Sequence, residues 1–145
     1  MNFLTQGEKI KATRKYLKMK QQDLQDEEIS RGLISMIEIG KRALTEEVAI
    51  KIFDKFYKRS NELGLDLNID VNYFLRSPIE DAELFVLDKL EQATFPKEIE
   101  EVINLTNDYN FNILKAKAYM KLGDYYFENK DYKNSFANYN NSINI

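Results

Sequence analysis

Apolar residues along this chain recur at steps of three and four, the spacing of one helix face, and almost nowhere at steps of two. Ile10, Arg14 and Leu17 share one side of a helix predicted from about Gln6 to Leu17. A second helix is predicted to start near Gln21 and to turn Leu24 inward, with Ile29 plugging the turn that follows. Ser30 has the hydroxyl of a good helix N-cap for a third helix ending near Glu38, and Gly40 stands where a helix stops. Thr45 caps a longer fourth helix, striped by Val48, Ala49, Ile52, Phe53 and Phe56. Leu65-Asp66-Leu67-Asn68-Ile69 alternates and reads as an extended connector. Asp70 then caps a short fifth helix holding Tyr73, Phe74 and Leu75.

The second half opens at Ser77-Pro78, a cap followed by proline at the first helical position. That helix carries Phe85, Val86, Leu87 and Leu90. Pro96 starts another, with Ile99, Val102, Ile103 and Leu105. Two more are predicted, from about Phe111 to Phe127 and from Tyr132 onward, separated by Glu-Asn-Lys-Asp. The expectation is an all-α chain with a boundary near residues 64–77, giving domains 1–76 and 77–145.

Composition narrows the chemistry. The chain has 145 residues, no cysteine and no histidine. That removes disulfides, thiolate metal sites, the commonest zinc ligand and every Ser-His-Asp arrangement. The five glycines stand singly, so no glycine-rich phosphate loop exists. The carboxylates, Asp108, Asp124 and Asp131 among them, fall in no acid-base or calcium-binding pattern. Neither an enzyme nor a cofactor or metal site is expected. The N-terminal segment lacks the apolar core of a signal peptide and no run approaches membrane-spanning length, so a cytoplasmic protein away from membranes is expected. Two glycosylation-type triplets, at Asn104 and Asn140, carry no meaning there. The net charge of −3 hides an asymmetry: residues 1–65 hold 13 Lys/Arg against 10 Asp/Glu, residues 66–145 hold 8 against 14. Only the first half is suited to meet a polyanion.

The stretch EISRGLISMIEIGKR, residues 28–42, concentrates that suitability. Only Ile34 and Ile37 are spaced to face a core, while Leu33 and Met36 stand outside that pair. Short helices two and three joined by a tight turn form a helix-turn-helix, whose last helix turns its N-terminal residues toward base edges in the major groove. Gly32 then lets the backbone approach, Arg31 suits a guanine edge and Met36 a thymine methyl. Lys41 and Arg42, just past the helix, suit phosphates. Residues 7–53 resemble the Xre-type helix-turn-helix of lambdoid phage repressors, through Ile10, Arg14, the Lys-Gln-Gln-Asp-Leu start of helix two, Ile34-Ser35, Ile37-Glu38, Gly40-Lys41 and the Thr-capped fourth helix. The resemblance implies a five-helix lambda-repressor-like domain, phosphate contact from Gln21, base contacts from Arg31, Gly32, Ser35 and Met36, and a structural ion pair between Arg14 and Glu38. Two departures stand out. Gln25 replaces the usual alanine, and the turn is shortened to Glu-Glu-Ile, as in the Rgg/PlcR-type peptide-sensing regulators.

From residue 116, AKAYMKLGDYYFENKDYKNSFANYNNSINI places Tyr119, Leu122, Gly123 and Tyr126 on one helix face. Ser135, Tyr139 and Ser142 follow as small, aromatic, small. The pattern resembles a tetratricopeptide repeat, in which glycine and small residues let paired helices approach, with serine for alanine at 135 and 142. A generic aromatic-rich helical hairpin is the plainer alternative. Stacking of single-stranded nucleic acid suits this acidic half poorly. The repeat region is expected to be incomplete, since the apolar side of the last helix has no following repeat in the sequence.

Together these readings imply a DNA-binding transcriptional regulator acting as a homodimer on double-stranded DNA. Its C-terminal repeats would take a ligand, such as a short peptide, or a protein partner. The alternatives are a tetratricopeptide interaction scaffold, or a compact phage-type repressor or antitoxin without a small ligand.

Overall fold

The computed structural model describes residues 2–145. Among them are eight α-helices and no strand: α1 (Gln6–Tyr16), α2 (Arg31–Glu38), α3 (Glu46–Glu62), α4 (Val71–Leu75), α5 (Pro78–Gln92), α6 (Pro96–Tyr109), α7 (Asn112–Glu128) and α8 (Tyr132–Ile143). The chain divides into two compact units between Asp81 and Ala82.

In the first unit, local hydrogen bonds start most helices where the sequence offers a cap. Thr5 and Glu8 form a reciprocal capping box on α1. Ser30, Thr45 and Asp70 each accept the N–H three residues on, opening α2, α3 and α4. Gly40, with φ of 81°, ends α2 in the left-handed region that glycine adopts without steric cost. The helices close over Ile10, Leu17, Leu24, Ile29, Ile34, Ile37, Ile52, Phe56 and Phe74, all buried. Leu65, Leu67 and Ile69 of the extended connector pack against this core on alternate positions.

The expected second helix is instead a single 3₁₀ turn, Gln21–Leu24. The cause is Asp26. One of its carboxylate oxygens accepts the N–H groups of Glu28 and Ile29, both at 2.8 Å, and the other accepts Lys55 Nζ of α3 at 2.7 Å. Such local bonds offer the backbone a turn in place of further helix. The first unit thus has four α-helices and one 3₁₀ turn, where five helices were expected. Leu33 also differs from expectation: it packs half-buried against the core.

The expected boundary at residues 76–77 falls just before the first turn of α5, which is bonded to the first unit. Lys9 of α1 is almost fully buried, and its ammonium donates to the carbonyls of Tyr73 (2.6 Å) and Arg76 (3.1 Å). The same ammonium pairs with Asp81 at 2.5 Å, lies 4.6 Å from the centre of the Tyr73 ring, and Arg76 Nε donates to Asp81 at 2.8 Å. Every proton of the buried ammonium therefore has a partner, the condition under which a buried charge is tolerated.

In the second unit, Val86, Leu90, Ile99, Val102, Ile103, Leu114, Ala118 and Leu122 form one core between α5, α6 and α7. Lys121 Nζ donates to the carbonyls of Leu90 (2.5 Å) and Glu91 (3.2 Å), a cation placed where a helix C-terminus leaves acceptors open. α7 and α8 cross where the Tyr139 ring lies over Gly123.

Candidate nucleic-acid interface

α2 presents two unlike faces. Ile34, Ile37 and Glu38 are buried; Arg31, Gly32 and Met36 are exposed and Ser35 is half-buried. Residues 31, 32, 35 and 36 lie at i, i+1, i+4 and i+5, so the four candidate base-reading positions share one side of the helix. No carboxylate among the described residues lies within ion-pair distance of Arg31, Lys41 or Arg42. The backbone N–H groups of Lys41 and Arg42 both donate to the Met36 carbonyl, at 2.9 and 3.2 Å, which fixes the two basic residues close to the helix end.

Two glycines in this region differ in what the fold asks of them. A Cβ on Gly7 would stand 2.0 Å from the Ile37 carbonyl oxygen, so α1 crosses the end of α2 at a distance that only glycine permits. At Gly32 a Cβ would meet nothing closer than Ser30 Oγ at 3.8 Å. Packing explains Gly7. It does not explain Gly32, in the first turn of α2.

The buried end of α2 is held electrostatically. Arg14 Nε and Nη2 donate to the two Glu38 carboxylate oxygens at 2.8 and 2.9 Å, and Arg14 Nη1 donates to the Met19 carbonyl at 3.0 Å. Glu38 Oε1 also accepts Gln21 Nε2 at 3.2 Å. Gln21, expected to meet phosphate, thus also contributes to an internal network. The hydrogen bonds that Arg14 donates to Glu38 raise its guanidinium above an already high ordinary pKa. Arg14, Lys20, Gln21, Gln22 and Arg31 line one shallow depression beside the start of α2.

The turn before α2 carries Asp26, Glu27 and Glu28. Lys55 holds Asp26 and Lys51 pairs with Glu28, so α3 supplies a cation to each of two of these acids. The hydrogen bonds from Lys55 and the Ile29 N–H keep the Asp26 carboxyl below its ordinary pKa.

Of the repeat-signature residues, Gly123, Ser135 and Tyr139 meet at the α7–α8 crossing. Leu122 and Gly123 are buried, while Tyr119 and Tyr126 pack half-buried against the unit's core. The buried Ser135 hydroxyl donates to the Gly123 carbonyl at 2.9 Å. A Cβ on Gly123 would stand 2.5 Å from carbons of the Tyr139 ring, whose hydroxyl donates to Asp124. Ser142 is half-buried farther along α8.

Sequence reasoning missed Gly7, Asp26 and the group of Lys9, Arg76 and Asp81. Only Asp26 had a local signal, an acidic residue three positions before the buried Ile29, which is the spacing of an Asx turn. Among the described residues no cluster of His, Cys, Asp or Glu could hold a metal ion, and no helix is long and apolar enough to cross a membrane. No protein-family model, curated protein or solved structure matches the chain.

Proposed function

We propose that the chain is a sequence-specific regulator of transcription that binds duplex DNA with α2 as its recognition helix. The observation that carries the reading is the outward face of Arg31, Gly32, Ser35 and Met36, whose glycine no internal contact requires. On a groove-bound helix it has a use, because a bare α-carbon lets the backbone close on the DNA. Arg31 matches the O6 and N7 acceptors of guanine, Ser35 adapts to donor or acceptor, and Met36 packs on a thymine methyl. Lys41 and Arg42 supply phosphate contacts past the helix end, with Gln21 setting register from the 3₁₀ turn.

The Arg14–Glu38 pair, the Gly7 contact and the Asp26 turn hold α2 from its two ends. Such rigid support is what a recognition element needs if base contacts are to discriminate. The second unit, with its repeat-like α7–α8 crossing, supplies dimerisation and control by a peptide or protein ligand. A dimer reads a two-fold operator with half-sites about 34 Å apart.

The test is the salt dependence of binding to a selected duplex. Affinity falls steeply with salt, and Lys41→Gln with Arg42→Gln lowers the log–log slope by about 1 for each phosphate no longer neutralised. An unchanged slope in that double variant removes these residues from the interface.

A further inference from the structure

The second unit leaves a row of large apolar side chains uncovered. On α7, Ile113, Met120 and Phe127 are 75%, 51% and 56% exposed and stand seven residues apart, on one side of the helix over about 21 Å. On α8, Phe136 and Ile143 are 68% and 77% exposed. The two rows border one surface. Tyr139 reaches from α8 to Asp124 on the edge of the α7 row, and the Tyr132 ring meets Phe127 edge-on at 5.5 Å between centroids.

We infer that this surface binds a second copy of the chain, with α7 packed antiparallel on its symmetry mate about a two-fold axis at Met120. Three features of the surface are self-complementary about that one axis. Ile113 and Phe127 lie equally far from Met120, so each faces the other on the second copy while Met120 faces itself. Lys117 and Asp124 flank Met120 on one edge of the row, three residues before it and four after. A two-fold axis lying in the interface across the helix keeps both on that edge, so each Lys117 meets the other copy's Asp124. On α8, Phe136 and Ile143 are centred between Tyr139 and Asn140. Because the Tyr139 ring covers Gly123, that midpoint lies within a turn of Met120. One axis therefore serves both helices, and the interface is a four-helix arrangement of two α7–α8 hairpins. Self-complementarity of apolar and charged positions about one axis is what a two-fold interface between identical chains requires.

This dimer gives a specific form to the one named in the proposed function, on which it rests, and its test needs no DNA. The chain has no cysteine, so single cysteines report contacts without background. In the full chain, Met120→Cys should cross-link to itself on mild oxidation at low micromolar concentration, and Lys97→Cys on α6 should not. Lys117→Glu and Asp124→Lys should each weaken self-association at least tenfold in sedimentation equilibrium. Mixing the two variants should restore it as a heterodimer, since each new charge then meets its opposite. Circular dichroism of each variant separates loss of association from loss of fold. A dimer in which Met120→Cys does not cross-link, or a wild-type monomer at high micromolar concentration, overturns the inference. DNA binding would leave the recognition helix standing in either case: a dimer without the cross-link refutes only this surface, and a monomer also removes the dimer of the proposed function.

Discussion

Arg14 and Glu38, on α1 and α2, form a two-pronged ion pair at 2.8 and 2.9 Å in which the carboxylate side chain is only 2% exposed. The pair joins the buried end of α2 to α1. Removing one partner leaves a buried charge unmatched, so Arg14→Met should cost about 3–5 kcal/mol in urea unfolding. Arg14→Met with Glu38→Leu should recover most of that loss. Specificity should not recover with it, because the apolar pair no longer fixes the angle at which α2 leaves the domain.

Gly7 and Gly123 both mark close helix crossings but differ in what a methyl group would strike. At Gly7 it meets the Ile37 carbonyl, which is backbone and cannot turn aside. At Gly123 it meets the Tyr139 ring, a side chain with freedom to rotate. Overpacking of this kind typically costs about 1–3 kcal/mol. Thermal unfolding should place Gly7→Ala at or above the top of that range and Gly123→Ala lower. Gly123→Ala should recover further when Tyr139 is shortened to leucine. Equal losses would show that the Gly123 crossing is as rigid as the other.

Acid should loosen the first unit through two aspartates. Burial pushes the Asp81 carboxyl up, but hydrogen bonds from Lys9 and Arg76 outweigh it and hold the group below the ordinary value of 3.8. Asp26 is lowered by Lys55 and the Ile29 N–H. A depressed native pKa means that the unfolded chain takes up its proton first as pH falls. The stabilisation is therefore full above the unfolded value and is lost progressively below about pH 5, down through the native pKa. Stability measured from pH 7 to pH 3 should fall less steeply in Asp81→Asn than in wild type. A parallel pair of curves would show that Asp81 titrates alike in both states.

Much of the fold is legible in the sequence because its signals are local. Ser30, Thr45, Asp70 and Ser77-Pro78 announce helix starts within three residues of the groups they bond. The Leu65–Ile69 alternation likewise marks an extended strip with one packed side. The group around Lys9 is not legible, since its partners Tyr73, Arg76 and Asp81 are 64 or more residues away and a lysine amid charged neighbours reads as solvated. Gln21–Leu24 reads as the start of a helix because four residues make a single turn, and periodicity does not separate one turn of 3₁₀ from one of α. The outward face of α2 is visible through Ile34 and Ile37, which fix the buried side and so the opposite one. The contacts that orient it, Gly7 on Ile37 and Asp26 on Lys55, arise only when distant segments meet.

DNA reading by α2 is tested by selection of bound duplexes from a random pool at low salt, run in parallel for wild type and Arg31→Ala. Wild type should enrich a near-palindrome whose half-sites lie about one helical turn apart and contain a guanine. Arg31→Ala should lose that guanine, at a cost of about 1–3 kcal/mol in affinity, while keeping the rest of the motif. A pool with no enriched sequence for wild type would contradict DNA reading by α2, and so would a motif that Arg31→Ala leaves unchanged.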